Sequence, residues 1–136
     1  MDPFDFEALV GRVLEALGYE DVELTQASAD GGIDVVARQT QGLTRVEYAV
    51  QVKQTPSVGR PVVQRLRGSM KPHQIGIIVT SGQYSRLAFD DAEMQGRPPI
   101  TLIDGATLVR LMMEYGVGVR RELIPIYKLE TLGDSS

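Results

Sequence analysis

The sequence predicts an α/β sandwich in which helices flank a mixed β-sheet, because helical and strand patterns alternate along the chain. The stretch from Val46 to Lys53 alternates polar and apolar residues, which predicts a half-buried strand. The continuously apolar run from Ile75 to Thr80 predicts a strand covered on both faces. At 136 residues the chain fits one domain with a sizeable core, which we assign to residues 1–129, followed by a flexible tail at 130–136.

The first element is predicted to be a helix from about Pro3 to Leu17, with Asp2 as its N-cap and Gly18 at its end. Its helical period predicts a buried arc that comprises Phe6, Val10, Val13, Leu14 and Leu17. Glu7 falls at the border of this arc. It either turns towards the sheet, where it could supply a carboxylate to a metal, or is an ordinary acid favoured by the helix dipole.

Two strands and a turn are predicted next. Residues 20–26 alternate weakly and indicate a strand, and residues 27–32 turn the chain, with Asp30 shaping the turn. The two glycines do not indicate a phosphate-binding loop, because no Lys-Ser/Thr pair or helix follows them. The second strand is expected to place Ile33, Val35 and Ala37 on one face.

Asp34 is expected inside this second strand, on the opposite face from its apolar neighbours. A hairpin with a polar loop at residues 39–43 would lay Asp34 beside Gln51 and Lys53 of the strand that follows. An acid, an amide oxygen and a lysine on one face would suit a Mg²⁺ ion, with the ammonium near a phosphate or an attacking water. A purely structural aspartate is the alternative. Glu47 lies roughly 13 Å along the strand from Gln51, so we interpret it as structural.

A second helix is predicted from Gly59 to about Met70. Its core face comprises Val62, Val63, Leu66 and Met70, and another face presents Arg60, Gln64, Arg67 and Lys71 at helical spacing. Residues 38–71 contain seven basic side chains and one acid, although the whole chain has a net charge of −4. We interpret the four-residue stripe as a DNA-binding surface that positions phosphates, with a solvated basic face as the alternative.

The remaining elements are predicted as follows. His73 lies in a polar turn at the surface, and a helix runs to about Met94 after a segment in which Ser81 is the expected cap. Asp104 follows a short strand at residues 100–103 and is expected to cap a helix over residues 106–115. Residues 117–129 have strand-like character, which would suit a sheet edge or a dimer contact.

Composition excludes several classes of site. The absence of cysteine excludes disulfides, thiol nucleophiles and cysteine zinc sites, and a single histidine cannot form a histidine cluster. No apolar run is long enough to span a membrane, and the acidic start is unlike a signal peptide. We therefore expect a cytoplasmic protein with no membrane partner.

The pattern Asp30-Gly-Gly-Ile-Asp34, followed by an apolar strand that ends Val50-Gln51-Val52-Lys53, resembles the Mrr-type branch of the PD-(D/E)XK nucleases. Further landmarks extend the resemblance over most of residues 4–115; they are Phe6–Val10, Gly18-Tyr19, Gly76–Thr80 and Ile103–Gly105. The resemblance implies a restriction-endonuclease-like three-layer sandwich with a mixed central sheet.

The resemblance also implies a Mg²⁺-dependent endonuclease acting on double-stranded DNA, with Mn²⁺ as a substitute. Asp34, Gln51, Glu7 and the backbone carbonyl of Val52 would hold the metal, and Lys53 would assist attack of water, leaving 5′-phosphate and 3′-hydroxyl ends. Restriction of foreign or modified DNA is implied, with junction or repair cleavage as alternatives. Cutting both strands would require two sites and hence a homodimer.

Gln51 departs from the carboxylate of the wider superfamily and lowers the negative charge of the site. It favours the rival interpretation, a non-catalytic DNA-binding or assembly module that retains the nuclease fold. A binding protein for a small phosphorylated ligand is a further alternative, but it would require a phosphate loop that the sequence lacks.

Overall fold

A five-stranded mixed sheet forms the centre of the protein. The computed structural model describes residues 1–25 and 32–118. The helices are α1 (Pro3–Ala16), α2 (Arg60–Ser69), α3 (Arg86–Ala92) and α4 (Gly105–Tyr115). The strands are β1 (Glu20–Leu24), β2 (Val35–Gln41), β3 (Thr44–Lys53), β4 (Ser57–Val58), β5 (Gln74–Thr80), β6 (Gln83–Tyr84) and β7 (Ile100–Ile103).

The strand order in the sheet is β1-β2-β3-β5-β7. The first three strands pair antiparallel, whereas β3, β5 and β7 are mutually parallel, with α2 and α3 as the crossover connections. Consecutive crossovers of one hand place α2 and α3 on the same face. Because parallel strands end together, Lys53 of β3 lies next to Thr80 of β5. The predicted mixed-sheet α/β sandwich is confirmed.

Two apolar clusters make the sandwich three-layered. Val35, Val50, Ile77 and other sheet residues pack with α1 and with Leu108 of α4. On the other face the side chains that pack together are Val63, Leu66, Ile78, Ala88, Ala92 and Ile100. Neighbouring residues Ile77 and Ile78 belong to different clusters because side chains alternate along β5. The sheet is therefore covered on both faces, as the apolar run predicted.

The first helix follows its sequence signals closely. The Asp2 carboxylate accepts a hydrogen bond from the Phe4 N–H at 2.8 Å, Pro3 occupies the first turn, and Gly18 follows with a φ of 101° that favours glycine. Most of the predicted arc is buried, and Leu9 joins it. The helix, its cap and its buried face are confirmed.

The hairpin between β2 and β3 is tighter than the sequence predicted. Gln41 pairs with Thr44, so the loop contains only Gly42 and Leu43 instead of residues 39–43. Gly42 adopts a φ of 63°, which lets two residues reverse the chain. Two expectations at the start of β2 were wrong: Asp34 precedes the strand, and Ile33 packs with the α2–α3 cluster rather than beside Val35. Regular alternation begins only at Val35.

The segment before α3 also corrects the sequence prediction. Ser85, not Ser81, caps α3, and its hydroxyl accepts a hydrogen bond from the Ala88 N–H at 3.1 Å. The helix ends at Ala92 instead of about Met94. The two short strands β4 and β6, which form a separate parallel pair, were not predicted.

Asp104 caps α4 as expected, because its carboxylate accepts a hydrogen bond from the Thr107 N–H at 2.8 Å. The predicted turn around Asp30, nearly all of the strand-like segment at residues 117–129 and the tail at residues 130–136 lie outside the described residues. Within the described parts of the chain, no helix is both long and apolar enough to cross a lipid bilayer.

Candidate active site

Asp34 lies immediately before β2 and continues the hydrogen bonding of the sheet with its side chain. Its N–H donates to the Val50 carbonyl at 2.9 Å, and its Oδ2 accepts from the Val52 N–H at 2.8 Å. Strand N–H groups lie in the plane of the sheet and normally donate to a backbone carbonyl of the neighbouring strand. Here the Asp34 carboxylate takes the place of that carbonyl. The Asp34 carboxylate therefore lies in the plane of the sheet, where groups on both faces can approach it.

Glu7 and Lys53 approach this carboxylate from α1 and β3. Burial and then the Asp34 carboxylate raise the pKa of Glu7, with a smaller contribution from Asp2. Burial also raises the pKa of Asp34, while the Val52 N–H and the Lys53 ammonium act in the opposite direction. The structure thus brings both Glu7 and Lys53 within electrostatic range of Asp34.

Gln51 is the most unusual polar group of this region. Its side chain is 0% exposed, and within the described residues neither amide atom has a hydrogen-bond partner. The register of β2 and β3 pairs Val35 with Val50, so the next residues along, Asp34 and Gln51, are neighbours across these two segments of the chain. An unpaired buried amide costs about 1–3 kcal/mol. A ligand that bonded the Gln51 amide would therefore stabilise the folded state.

The oxygen atoms available here suit a hard divalent cation. Glu7 and Asp34 offer carboxylates and Gln51 offers an amide oxygen, while the Val52 carbonyl points to the same side of its strand as the Val52 N–H, towards Asp34. Over residues 1–25 and 32–118, no group of three His, Cys, Asp or Glu side chains could hold a metal. The unpaired Gln51 amide and the raised pKa values of Glu7 and Asp34 nevertheless fit a site that a cation would stabilise.

Lys53 is held at the carboxyl end of β3. It shares a face with Gln51, its side chain is half-buried, and its carbonyl accepts from the Ser81 N–H at 3.2 Å. Glu47, at the other end of the same strand, accepts from the Gln74 side chain at 2.7 Å and lies 3.2 Å from the exposed ring of His73. The interpretation of Glu47 as structural and of His73 as a surface residue agrees with these contacts.

The predicted DNA-binding stripe on α2 is divided by the structure. The Arg67 guanidinium bonds Asp91 of α3 at 2.5 Å through Oδ1 and at 2.8 Å through the backbone carbonyl. Gln64 donates to Asp91 Oδ2 at 3.3 Å. The Arg67 hydrogen bond is the main cause of the lowered pKa of Asp91. Gln64 and Arg67 therefore join α2 to α3, whereas Arg60 and Lys71 are exposed.

Sequence reasoning assigned no role to Arg86, which begins α3 as Arg60 begins α2. A signal was present in the sequence. Two segments share the order polar, large apolar, small, arginine; they are Ser57-Val58-Gly59-Arg60 and Gln83-Tyr84-Ser85-Arg86. The first two residues of one segment form β4, and they pair with the first two residues of the other, which form β6. A search for short internal similarities would have brought these segments together.

Comparisons with known proteins agree with this geometry. A family model described as restriction endonuclease, the Mrr catalytic domain, matches residues 1–112. The type IV methyl-directed restriction enzyme EcoKMrr of Escherichia coli strain K12 is 34% identical over 137 residues, which cover 96% of this chain and 44% of that enzyme. The chain thus spans less than half the length of this curated relative.

Two solved structures share the fold. The DNA modification-dependent restriction endonuclease AspBHI is 28% identical with a TM-score of 0.71, over 85% of this chain and 32% of that one. The MspJI restriction endonuclease, solved in complex with a 27-mer oligonucleotide, is 29% identical with a TM-score of 0.70, over 89% of this chain and 30% of that one. With a three-layer fold, an Asp-Gln-Lys arrangement at the sheet end and a family match over residues 1–112, the chain belongs to the Mrr-type restriction endonuclease family of the PD-(D/E)XK superfamily.

Proposed function

We propose that this chain is a metal-dependent DNA endonuclease domain that hydrolyses phosphodiester bonds. The observation that carries the proposal is the unpaired, buried Gln51 amide on β3, one residue from Val52, whose N–H donates to the Asp34 carboxylate. Family membership supports the chemistry, and the relative solved with an oligonucleotide supports a nucleic-acid substrate.

Mg²⁺, with Mn²⁺ as a substitute, is the proposed ion. Asp34, Glu7, the Gln51 amide oxygen and the Val52 carbonyl would hold it. When bound, the ion would supply positive charge to the phosphate and polarise the attacking water. Because Gln51 is a neutral amide, this ligand set contains only two carboxylates. We therefore expect a metal affinity weaker than that of a site with three carboxylates.

The residues of the chain have separate tasks in the proposed reaction. Lys53 would hold a phosphate oxygen or the attacking water with its ammonium, and it would stabilise the charge that develops on the phosphate. Asp34 keeps the Val52 N–H and carbonyl in place. Water oxygen bonds to phosphorus, the bond from phosphorus to the 3′ oxygen breaks, and a proton from the water ends on that oxygen.

The proposed substrate is double-stranded foreign or modified DNA, by similarity to the methyl-directed and modification-dependent relatives. Arg60, Gln64, Arg67 and Lys71 were predicted from the sequence to contact DNA. The two exposed residues, Arg60 and Lys71, suit direct phosphate contacts, while Gln64 and Arg67 would act mainly by fixing α2 against α3.

Cleavage of supercoiled plasmid, methylated and unmethylated, tests the proposal. The protein is assayed with Mg²⁺, Mn²⁺ or EDTA beside Lys53→Ala and Asp34→Asn. We expect nicking or linearisation only with a divalent metal, and we expect both variants to lose at least about a hundredfold in rate, as loss of a charge-stabilising group does.

Arg12→Ala is the matched control, because Arg12 is an exposed arginine of α1 outside the proposed site. It should cleave as the unchanged protein does. Binding of plasmid without cleavage under every metal would reject the nuclease and favour the non-catalytic module.

A homodimer is the proposed arrangement for cutting both strands. Light scattering of the protein with and without a DNA duplex measures the assembly directly. A monomer that nevertheless produces double-strand breaks with single-turnover kinetics would reject the dimer while leaving the nuclease intact.

A further inference from the structure

The small parallel pair of β4 and β6 lies just beyond the carboxyl end of the main sheet. Ser57 pairs with Gln83 and Val58 with Tyr84. The Gln83 N–H donates to the Pro56 carbonyl at 3.0 Å, and the Ser85 N–H donates to the Val58 carbonyl at 3.0 Å. The chain segments that lead into α2 and α3 therefore run side by side up to the first residue of each helix.

This pairing brings two arginines together. Arg60 and Arg86 are the first residues of α2 and α3, and each lies two positions beyond the paired residues Val58 and Tyr84. Paired strands are about 4.8 Å apart, which is less than the length of an arginine side chain. Two guanidinium groups that start this close can converge on one anion, and they repel each other when none is present.

Both side chains are open to solvent. The Arg86 side chain is 90% exposed, and its Nε lies 3.7 Å from the exposed carboxylate of Asp90 one turn along α3. Such an exposed ion pair is weak and does not compete strongly with a phosphate. Arg60 is also exposed. The two arginines are therefore accessible to a macromolecular partner.

The arginine pair is fixed relative to Lys53. The Ser81 N–H donates to the Lys53 carbonyl at 3.2 Å, and the Gly105 N–H donates to the Gly82 carbonyl at 2.9 Å. A Cβ atom at Gly82 would overlap the carbonyl oxygens of Thr55 and Pro56. The backbones of the segment after Lys53 and the segment after Thr80 are therefore held in direct contact.

Asp104, the residue before Gly105, is already engaged. Asp104 caps α4 through the Thr107 N–H, and that hydrogen bond is the main cause of its lowered pKa. It stays charged at neutral pH, but its carboxylate is directed to the helix it caps. Arg60 and Arg86 therefore supply accessible positive charge on this surface.

We propose that Arg60 and Arg86 together grip a phosphate of the DNA backbone next to the phosphate that is cleaved. This inference rests on the proposed nuclease function, and it moves the DNA path from a stripe along α2 to a line across the starts of α2 and α3. Phosphate contacts carry no base information, so the pair sets the position of the duplex relative to Lys53.

Fluorescence anisotropy of a labelled duplex in EDTA tests the contact without cleavage. The proteins are Arg60→Ala, Arg86→Ala, the double variant and Arg86→Lys, with Arg12→Ala as the exposed-arginine control. At about 0.1 M salt we expect each single alanine variant to bind roughly tenfold more weakly, with a slope of log affinity against log salt that is shallower by up to about 0.9.

Two further results follow if both arginines hold one phosphate. The salt slope of the double variant should fall by about 0.9, the value for one phosphate contact, rather than by the value for two contacts. The Arg86→Lys variant should keep most of the slope. The loss should be equal on two duplexes of unrelated sequence. Thermal melting of each variant shows that the exposed substitutions leave the fold intact.

The outcomes separate this inference from the nuclease proposal. If Arg86→Ala binds with the affinity and salt slope of the unchanged protein, or loses affinity on one duplex sequence alone, the arginine grip is rejected whether or not plasmid is cleaved. If the unchanged protein shows the expected dependence on Arg86 but never cleaves plasmid, the grip stands and the nuclease proposal fails. A protein that binds neither duplex overturns the inference.

Discussion

At the scale of single residues, the candidate site contains polar groups that the described part of the chain leaves unsatisfied. Gln51 is buried without a partner among the described residues, burial raises the pKa of both Glu7 and Asp34, and the Asp34 carboxylate raises the pKa of Glu7 further. Each of these features lowers the stability of the metal-free protein. A bound divalent cation would reverse all three, so stability and metal binding are coupled at these residues.

Replacing Gln51 by methionine should raise the free energy of unfolding by about 1–2 kcal/mol, because it removes an unpaired amide and keeps the side-chain length. Chemical denaturation without metal measures this change. The matched control is Gln74→Met, since Gln74 is also buried but its amide contacts Glu47 at 2.7 Å and the Lys71 N–H at 2.9 Å.

The control variant should lose about 1–3 kcal/mol, because its partners become unsatisfied. If Gln51→Met loses as much stability as Gln74→Met, the Gln51 amide has a partner in solution, and its interpretation as an open oxygen ligand is wrong.

At the scale of secondary structure elements, α2 and α3 act as one unit. Arg67 and Gln64 of α2 bond the buried Asp91 of α3, and the strands that precede the two helices are paired. Buried ion pairs add little net stability when complete but are costly to break, because the remaining charge is left in an apolar environment. The position of the DNA-facing helix starts therefore depends on contacts at the opposite end of α2.

Arg67→Met should destabilise the protein by about 3 kcal/mol, since it leaves Asp91 buried without its principal partner. The pKa of Asp91 is lowered in the folded state, so this contribution is complete above the ordinary carboxyl pKa of about 4 and is lost as the pH falls below it. Denaturation curves at neutral pH and near pH 3 measure both effects.

Arg60→Met is the control for this change, because Arg60 is exposed, and it should alter stability by less than about 0.5 kcal/mol. An Arg67→Met protein that keeps its stability but loses DNA affinity would instead show that the Arg67 guanidinium contacts DNA directly, as the sequence predicted.

Gly82→Ala should cost about 1–3 kcal/mol, because the new Cβ atom would overlap backbone carbonyl oxygens that cannot rotate away. It should also weaken DNA binding by displacing β6 from β4. Gly68→Ala is the matched control, since a Cβ there meets nothing within 4 Å and the position lies inside α2.

The control should be stabilised by about 0.5–1 kcal/mol, the usual advantage of alanine over glycine in a helix. Thermal melting ranks the two variants. Equal stability of both would mean that the segment after Lys53 and the segment after Thr80 are not held closely together.

At the scale of the whole molecule, the candidate site joins parts of the chain that are distant in sequence. Glu7 comes from α1, Asp34 precedes β2, and Gln51 and Lys53 belong to β3. A cation bound by these groups would connect α1 to the central sheet. Binding to the folded state alone raises its stability by mass action, which gives a measurement that does not depend on cleavage.

Mg²⁺ should raise the melting temperature at pH 7.5, by an amount equivalent to about 2.7 kcal/mol when the metal is about 100 times its dissociation constant. Asp34→Asn should abolish the shift while keeping an acceptor for the Val52 N–H. Glu15→Gln, an exposed change on α1, is the control and should keep the shift. A full shift in the Asp34→Asn protein would reject Asp34 as a ligand.

The pH dependence has a definite sign. Because the folded pKa of Asp34 is raised, ionisation destabilises the metal-free fold as the pH rises from the ordinary value of about 4 through the raised value. Without metal, Asp34→Asn should therefore gain stability relative to the unchanged protein across this window and hold that gain at neutral pH. A difference that does not vary with pH would contradict the raised pKa.

Local physics explains how much of this could be inferred from the sequence. The cap at Asp2, the buried arc of α1, the apolar run of β5 and the cap at Asp104 depend on residues within a few positions of each other, and all four were predicted correctly. The candidate residues Asp34, Gln51 and Lys53 were also predicted to be neighbours, because a hairpin links their strands through a short loop.

Contacts between distant segments could not be inferred in this way. The bond between Arg67 and Asp91 and the pairing of β4 with β6 depend on the path of the chain through the crossover connections. Helical period alone placed Arg67 on an exposed stripe, because it could not show that α3 would cover that side. Periodicity and capping thus determined the elements from the sequence, whereas long-range packing decided which polar side chains are engaged and which are accessible.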